Sequence, residues 1–69
     1  MRTYYSKNYE PPEDASGEYL VIYSSGTKIW YLNGKYHRED GPAILWNNGN
    51  KHWYLNGKLH RKDGPAIVS

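Results

Sequence analysis

The sequence predicts an all-β fold, an antiparallel meander of short hairpin repeats with little or no helix. Three observations support this prediction: a segment that occurs twice, Asn-Gly dipeptides between ring-rich runs, and no apolar run with helical spacing. WYLNGKYHREDGPAI at residues 30–44 returns as WYLNGKLHRKDGPAI at residues 53–67. When the first copy, Gly26–Trp46, is aligned with the second copy, Gly49–Ser69, 15 of 21 positions are identical.

The residues before the first copy are predicted to be a degenerate copy of the same repeat unit. With the same 23-residue offset, Leu20–Tyr23 aligns with Ala43–Trp46. We therefore divide the chain into an N-terminal arm with a degenerate repeat start, residues 1–16, and a β-hairpin repeat domain, residues 17–69. Units of this size stack on their neighbours, because one unit alone cannot bury its apolar side chains.

Four dipeptides are predicted to turn the chain. Asn33-Gly34 and Asn56-Gly57 lie between ring-rich runs, and a type I′ hairpin turn needs positive φ at both of its central residues. Ser25-Gly26 and Asn48-Gly49 are expected to form two-residue turns at the other strand ends. Together these turns predict a succession of tight hairpins.

Two-residue turns at all four positions would set the strand register. Trp30 is then expected opposite His37 on one side and Val21 on the other, and Trp53 opposite His60 and Ile44. One face would carry Val21, Tyr23, Trp30, Leu32, His37, Ile44, Trp46, Trp53, Leu55, His60 and Ile67. The other would carry Leu20, Ile22, Ile29, Tyr31, Tyr36, Leu45, Tyr54, Leu59 and Val68. Both faces are apolar and need cover, so either the sheet twists until its ends close over one face or a second copy of the chain covers it. Of these two arrangements we expect the homodimer.

The repeated residues resemble MORN repeats. The likeness lies in the period, in the aromatic pair before the turn (Trp30-Tyr31-Leu32-Asn33-Gly34-Lys35), and in the His and later Gly. It is closest to a variant with His-Arg-x-Asp-Gly-Pro-Ala that occurs in tandem in proteins of bacteriophages and large DNA viruses. The common MORN pattern has Gly-x-Gly after the His, and this chain departs from it there. The resemblance implies a hairpin array that binds proteins and has a viral origin. It transfers no catalytic residue and no membrane association.

Composition excludes several classes of protein. The 69 residues include no cysteine, so neither a disulfide framework nor a thiolate zinc site exists. No apolar stretch approaches a signal peptide or a membrane span, and we expect a cytoplasmic protein without a membrane partner. Neither full copy contains a serine before Ser69, so no nucleophile–base pair is indicated. We predict no enzymatic activity and no cofactor.

The Asp-Gly-Pro segments at residues 40–42 and 63–65 are expected to interrupt pairing, because proline lacks an amide donor. His37-x-x-Asp40 and His60-x-x-Asp63 are two possible metal-ligand pairs. The simpler interpretation is that each Asp accepts local backbone hydrogen bonds or pairs with the neighbouring arginine. We therefore predict no metal site.

Eight tyrosines and three tryptophans, with no phenylalanine, favour binding over catalysis. The predicted binding residues are Trp30, His37, Arg38, Trp46, Trp53, His60, Arg61, Tyr4 and Tyr5. Trp46 aligns with Tyr23 and Ser69, so the repeat does not require a tryptophan at that position. The first hypothesis is a phage-encoded accessory that binds a host protein of antiviral defence, because Trp, Tyr and Arg dominate protein interfaces. The alternative is a binder of nucleotide signals or nucleic acid, with bases stacked on the rings and phosphates on the basic groups.

Overall fold

The computed structural model describes residues 1–6 and 13–68, which form strands and no helix. The predicted all-β fold class is therefore confirmed. The strands are β1 (Arg2–Ser6), β2 (Glu18–Tyr23), β3 (Lys28–Leu32), β4 (Lys35–Tyr36), β5 (Ile44–Leu45), β6 (Lys51–His52), β7 (Tyr54–Leu55), β8 (Lys58–Leu59) and β9 (Ile67–Val68).

The main sheet has the strand order β1-β2-β3-β5-β6-β9, with β4 also paired to β3, and β7 and β8 form a two-stranded sheet. All these pairs are antiparallel except the first: β1 runs parallel to β2, with Tyr4 opposite Val21. A purely antiparallel meander is therefore wrong at this one edge. Strand β1, in the predicted arm 1–16, belongs to the sheet.

The two Asn-Gly hairpins form as predicted. Asn33 and Asn56 both have φ of 51°, and Gly34 and Gly57 both have φ of 80°, as a type I′ turn requires. Tyr31 consequently lies opposite Tyr36, and the backbone N–H of His37 donates to the Trp30 carbonyl at 3.0 Å.

The other two turns differ from the prediction. Each is a three-residue loop that ends in a glycine with positive φ: Ser24-Ser25-Gly26, with φ of 98° at Gly26, and Asn47-Asn48-Gly49, with φ of 92° at Gly49. The first loop is closed by the Tyr23 N–H, which donates to the Thr27 carbonyl at 2.9 Å. A three-residue connection of this kind, with its glycine in the left-handed region, is a common alternative to the two-residue turn.

The extra loop residue moves the register by one on that side of each Trp-containing strand. Trp30 lies opposite Leu20 rather than Val21, and Ile44 lies opposite His52 rather than Trp53. Because successive side chains alternate between faces, the slip joins residues that were expected on opposite faces. In the main sheet one face, the core face, carries Tyr19, Val21, Tyr23, Ile29, Tyr31, Tyr36, Ile44, Trp46, His52 and Ile67, and Trp30 lies on the other. Tyr54, in the two-stranded sheet, packs against this core and lies opposite Leu59.

The core face is buried within one chain. Its buried members are Tyr19, Val21, Ile29, Tyr31 and Ile44, with Tyr4, Ala15, Tyr23, Tyr36 and Tyr54 packed against them. A row of tyrosine rings runs through this cluster, from Tyr4 through Tyr19, Tyr31 and Tyr36 to Tyr54, with centroids 5.0–5.8 Å apart. A second copy of the chain is therefore not required to cover these residues.

Candidate functional site

The backbone of each repeated Trp closes a loop at both of its ends, residues 37–43 in the first copy and residues 60–66 in the second. The Trp30 carbonyl accepts the His37 N–H at 3.0 Å, and the Trp30 N–H donates to the Ala43 carbonyl at 2.7 Å. In the second copy the same two bonds join Trp53 to His60 and to Ala66, at 3.0 and 2.7 Å. The predicted interruption of pairing at Asp-Gly-Pro is thus confirmed, and it places the loop beside the indole.

Within the first loop, Arg38 stacks on Trp30. The Arg38 Cζ lies 3.9 Å from the centroid of the indole, a cation–π distance. Its Nε donates to Oδ1 of Asp40 at 3.2 Å, and its Nη1 donates to the Pro42 carbonyl at 3.3 Å. The pairing of Asp40 with its neighbouring arginine is one of the two local roles expected from the sequence, and it is the one that forms in the first copy.

Gly41 completes this arrangement because it lies against the guanidinium. A Cβ at this position would be 2.8 Å from the Arg38 Cζ, closer than side chains approach one another. In the second copy the Arg61 Cζ lies 3.8 Å from the Trp53 ring centroid, Nη1 donates to the Pro65 carbonyl at 3.3 Å, and a Cβ on Gly64 would be 3.3 Å from that Cζ. The motif Trp…His-Arg-x-Asp-Gly-Pro therefore has a structural role within the chain: it positions the guanidinium of its arginine on the indole ring of its tryptophan.

The two histidines of the motif have different surroundings. His37 is buried, and its Nδ1 accepts the backbone N–H of Asn56 at 3.0 Å. Its Nε2 lies 3.7 Å from Oε1 of Glu39. Because Nδ1 is an acceptor here, the ring proton sits on Nε2. His60 is exposed.

A pocket of about 310 Å³ opens beside the first stack. Its lining includes one arginine, Arg38, three acidic residues, Glu18, Glu39 and Asp40, and the N-terminal residue, Met1. The acidic side chains outnumber the arginine, which is itself bonded to Asp40, and this balance disfavours a phosphate group. This pocket therefore does not suit a nucleotide.

Trp46 is separated from the other two indoles. It lies on the core face, 38% exposed, with its ring 5.8 Å from that of His52 in an edge-on arrangement. The predicted common surface of Trp30, Trp46 and Trp53 is therefore wrong, because the register slip puts Trp46 on the face opposite Trp30. Two further large apolar side chains are exposed: Ile67, opposite His52, is 51% exposed, and Leu59, opposite Tyr54 in the two-stranded sheet, is 49% exposed.

The predicted residues Tyr4 and Tyr5 point to opposite faces of β1. Tyr4 is half-buried at the start of the tyrosine row, whereas Tyr5 is 80% exposed. Arg2 reaches over the ring of Tyr19, with its Cζ 5.4 Å from the centroid, and donates to the carbonyls of Asp14 and Ser16. Tyr4 thus supports the fold, and only Tyr5 of the pair is placed for contact with another molecule.

Asp14 is the one described carboxyl with a resolved shift of its pKa. The Ser16 hydroxyl donates to its Oδ1 at 2.6 Å and the Ser16 amide at 3.0 Å, and these bonds lower its pKa below the ordinary value of 3.8. The charge of Arg2 acts in the same direction. The carboxylate therefore binds Ser16 within the 14–16 segment and pairs with Arg2 of β1, which holds this segment beside β1.

Within residues 1–6 and 13–68, no three His, Asp or Glu side chains gather closely enough to hold a metal ion. The same residues contain no helix with the length and apolar character needed to cross a membrane.

Neither Leu59 nor Ile67 is among the binding residues predicted from the sequence. Each is an ordinary apolar position of the repeat, and the twin of Ile67 in the first copy, Ile44, is buried. The available signal was their place at the end of the stack, where no following unit lies within the described chain. No family profile matches the chain, and neither a curated protein nor a solved structure matches it. The resemblance to MORN repeats stays a prediction.

Proposed function

We propose that the chain is a small, non-enzymatic protein-binding module of MORN-like hairpin repeats. In the fuller form of this proposal it is a phage-encoded accessory that acts in the host cytoplasm by occupying the surface of a host defence protein. The observation that supports protein binding best is the uneven exposure of the core face. Its large apolar side chains are buried at Ile29, Tyr31 and Ile44 of the first copy, whereas Trp46, at the end of that copy, and Leu59 and Ile67, in the second copy, are exposed.

The alternative of nucleotide or nucleic-acid binding takes second place because of how the basic groups are used. Both repeated arginines already lie on the indoles on which a base would have to stack, at 3.9 and 3.8 Å. The adjoining pocket is acidic rather than basic. A base would have to displace the guanidinium, and the stacking free energy of about 1–3 kcal/mol would be offset by that loss.

The proposal is tested by affinity capture with the immobilised chain from a nuclease-treated bacterial lysate. We expect one defined protein to be retained at a fixed ratio, and less of it with Trp46→Ala, because the indole is a contact residue rather than a core residue. The matched control is Thr3→Ala, an exposed residue of β1. Retention that is equal with both variants would contradict the proposed surface.

Titration of the tryptophan fluorescence with mono- and dinucleotides separates the alternative. Salt-dependent quenching by nucleotides, together with no retained protein, would favour the alternative over the proposal. Sedimentation of the free chain tests the predicted homodimer, which a folded monomer at micromolar concentration would exclude.

A further inference from the structure

A row of side chains crosses the main sheet on the face opposite the core face. Five strand pairings link its members in the order Tyr5, Ile22, Lys28, Leu45, Lys51 and Val68, which we call the outer row. Paired residues share a face, and the sequence neighbours of Lys28 and Leu45 on the core face, Ile29 and Ile44, are buried. The four central members each have a paired neighbour on both sides, so they belong to the face of the sheet and not to its edge.

The outer row is open to solvent in the described part of the chain. Tyr5 is 80% exposed, both lysines are exposed, and Ile22 and Leu45 are half-buried. Elsewhere on the same face the chain supplies its own cover, because Arg38 lies over the indole of Trp30. The outer row has no such cover among the described residues, and it therefore leaves apolar surface exposed in the middle of the sheet.

The charge of the outer row is positive. Lys28 and Lys51 lie on either side of Leu45, two strands apart, which is about 10 Å at the usual strand spacing. Neither lysine forms an ion pair with a described carboxylate. Glu18, on the same face, lies at the other end of β2, opposite Leu32. A partner is therefore favoured when it brings carboxylates to both sides of an apolar contact on Leu45.

The backbone beneath the row indicates what kind of segment fits it. In the described sheet β2, β3, β5 and β6 each pair on both sides, so this face offers side chains rather than free backbone groups. An extended segment laid on the face would bury its own N–H and C=O groups without partners. A helix satisfies its backbone internally and covers a sheet face with its apolar stripe. Its diameter of about 10–12 Å is close to the separation of the two lysines.

We propose that the outer row binds an amphipathic helix of a partner protein that carries carboxylates along both borders of its apolar stripe. This inference rests on the proposed function of protein binding, and it names a second contact surface and the class of segment that fits it. The stripe packs on Leu45 and on the aliphatic stems of Lys28 and Lys51, whose ammonium groups meet the carboxylates. A second copy seated with Leu45 on Leu45 fits less well, because it would bring the lysines of both chains together.

The probe is a fluorescent helical peptide of about 18 residues with leucines on one face and glutamates on both borders of the leucine stripe. Its control carries lysines in place of the glutamates. Anisotropy titration with the full chain is expected to show binding of the glutamate peptide and at least about tenfold weaker binding of the lysine peptide. The affinity for the glutamate peptide should fall as the salt concentration rises. In NMR spectra of the chain, the amide shifts caused by this peptide should be largest at the outer row.

Matched variants locate the peptide. Lys28→Glu and Lys51→Glu should each weaken binding about tenfold or more, whereas Lys58→Glu, which changes the net charge equally from an exposed position of β8, should have a smaller effect. Leu45→Ser should weaken binding, whereas Leu59→Ser, at the exposed leucine of β8, should not. Near-ultraviolet circular dichroism checks that each variant folds. If Leu45→Ser does not fold, the three exposed lysines decide the question by themselves.

Equal affinity for the two peptides, an equal loss with Lys58→Glu, or amide shifts confined to the core face would each overturn the inference. So would a dimer of the free chain that Lys28→Glu dissociates. Binding to vesicles of anionic lipid that Lys28→Glu abolishes, with no binding of the glutamate peptide, would assign the outer row to a membrane surface instead. A captured host protein that Lys28→Glu and Lys51→Glu leave fully bound would overturn the helix site alone. The proposed function would survive that result.

Discussion

Ile44 and Ile67 hold the same place in the two copies, yet 3% of the first and 51% of the second is exposed. The neighbours explain the difference. Ile44 lies between Ile29 and His52 in the sheet, whereas Ile67 lies opposite His52 in β9, the last strand of the sheet order. The arginine–tryptophan stacks, in contrast, are nearly identical in the two copies. The comparison teaches that the sequence of a repeat unit determines the contacts within that unit. The burial of its side chains is determined by where the unit lies relative to its neighbours in the sheet.

Truncation of the two isoleucines should give the largest difference. Ile44→Ala leaves a cavity in the core and is expected to lower the free energy of unfolding by about 2–5 kcal/mol. Ile67→Ala removes a half-exposed side chain and should cost about 1 kcal/mol or less. Urea denaturation followed by far-ultraviolet circular dichroism measures both. Equal losses would mean that β9 is covered in solution.

Replacement of the two histidines should give the next largest effect. His37→Ala leaves the Asn56 N–H without its acceptor in a partly buried site, at a cost of about 1–3 kcal/mol. His60→Ala is a surface change and should stay within about 0.5 kcal/mol. Hydrogen exchange at the Asn56 amide is the specific readout, and it should accelerate in His37→Ala only. Unchanged exchange there would exclude the proposed acceptor role.

Adding a methyl group to the two motif glycines sharpens the comparison within the stacks. Gly41→Ala should push the Arg38 guanidinium from Trp30 and cost about 1–2 kcal/mol, the range of a partly desolvated cation–π contact. Gly64→Ala meets Arg61 at 3.3 Å instead of 2.8 Å and should cost less. Thermal unfolding compares the two, and the near-ultraviolet signal of the tryptophans reports the stack. A larger loss of stability in Gly64→Ala than in Gly41→Ala would mean that the loop of the first copy adjusts to the added methyl group more easily than the loop of the second.

The smallest effect concerns Asp14, which occupies in the degenerate unit the place of His37 and His60. Its pKa is lowered in the folded chain, first by the Ser16 hydrogen bonds, so its contribution to stability is present above the unfolded pKa. That contribution is lost as the pH falls through the lower, folded value. Ser16→Ala should raise the Asp14 pKa toward 3.8, as measured by carboxyl NMR titration. An unchanged pKa would show that the Ser16 hydroxyl is not the main cause of the lowered value.

Particular residues show how far prediction from sequence reaches here. Asn33-Gly34 and Asn56-Gly57 specify their hairpins, because both positions need positive φ and this dipeptide tolerates it. Ser25-Gly26 and Asn48-Gly49 are ambiguous, since the same residues suit a two-residue turn or a three-residue loop that ends in glycine. The choice between these two turns moves the strand register by one and decides whether Trp46 lies on the same face of the sheet as Trp30.

The candidate site likewise has features that the sequence predicts and features that it leaves ambiguous. The sequence repeats a Trp, a His and an Arg at the same spacing in both copies, and it predicts that these residues act together. It does not reveal that the arginine's partner is the chain's own indole, because stacking on a base and stacking on a tryptophan require the same residues. Leu59 is an extreme case, since its exposure depends on which segments lie beside β8, and among the described residues β8 pairs with β7 alone.

By itself, the sequence of this protein determined the strand class, the two Asn-Gly hairpins and the interruption of pairing at Asp40-Gly41-Pro42. These features depend on backbone preferences and on partners a few residues apart. Only the tertiary structure decided the register of β2 and β5, the direction of β1 and the contrast between Ile44 and Ile67. Those features depend on which strands meet across the sheet, and many contacts between distant residues settle that choice together.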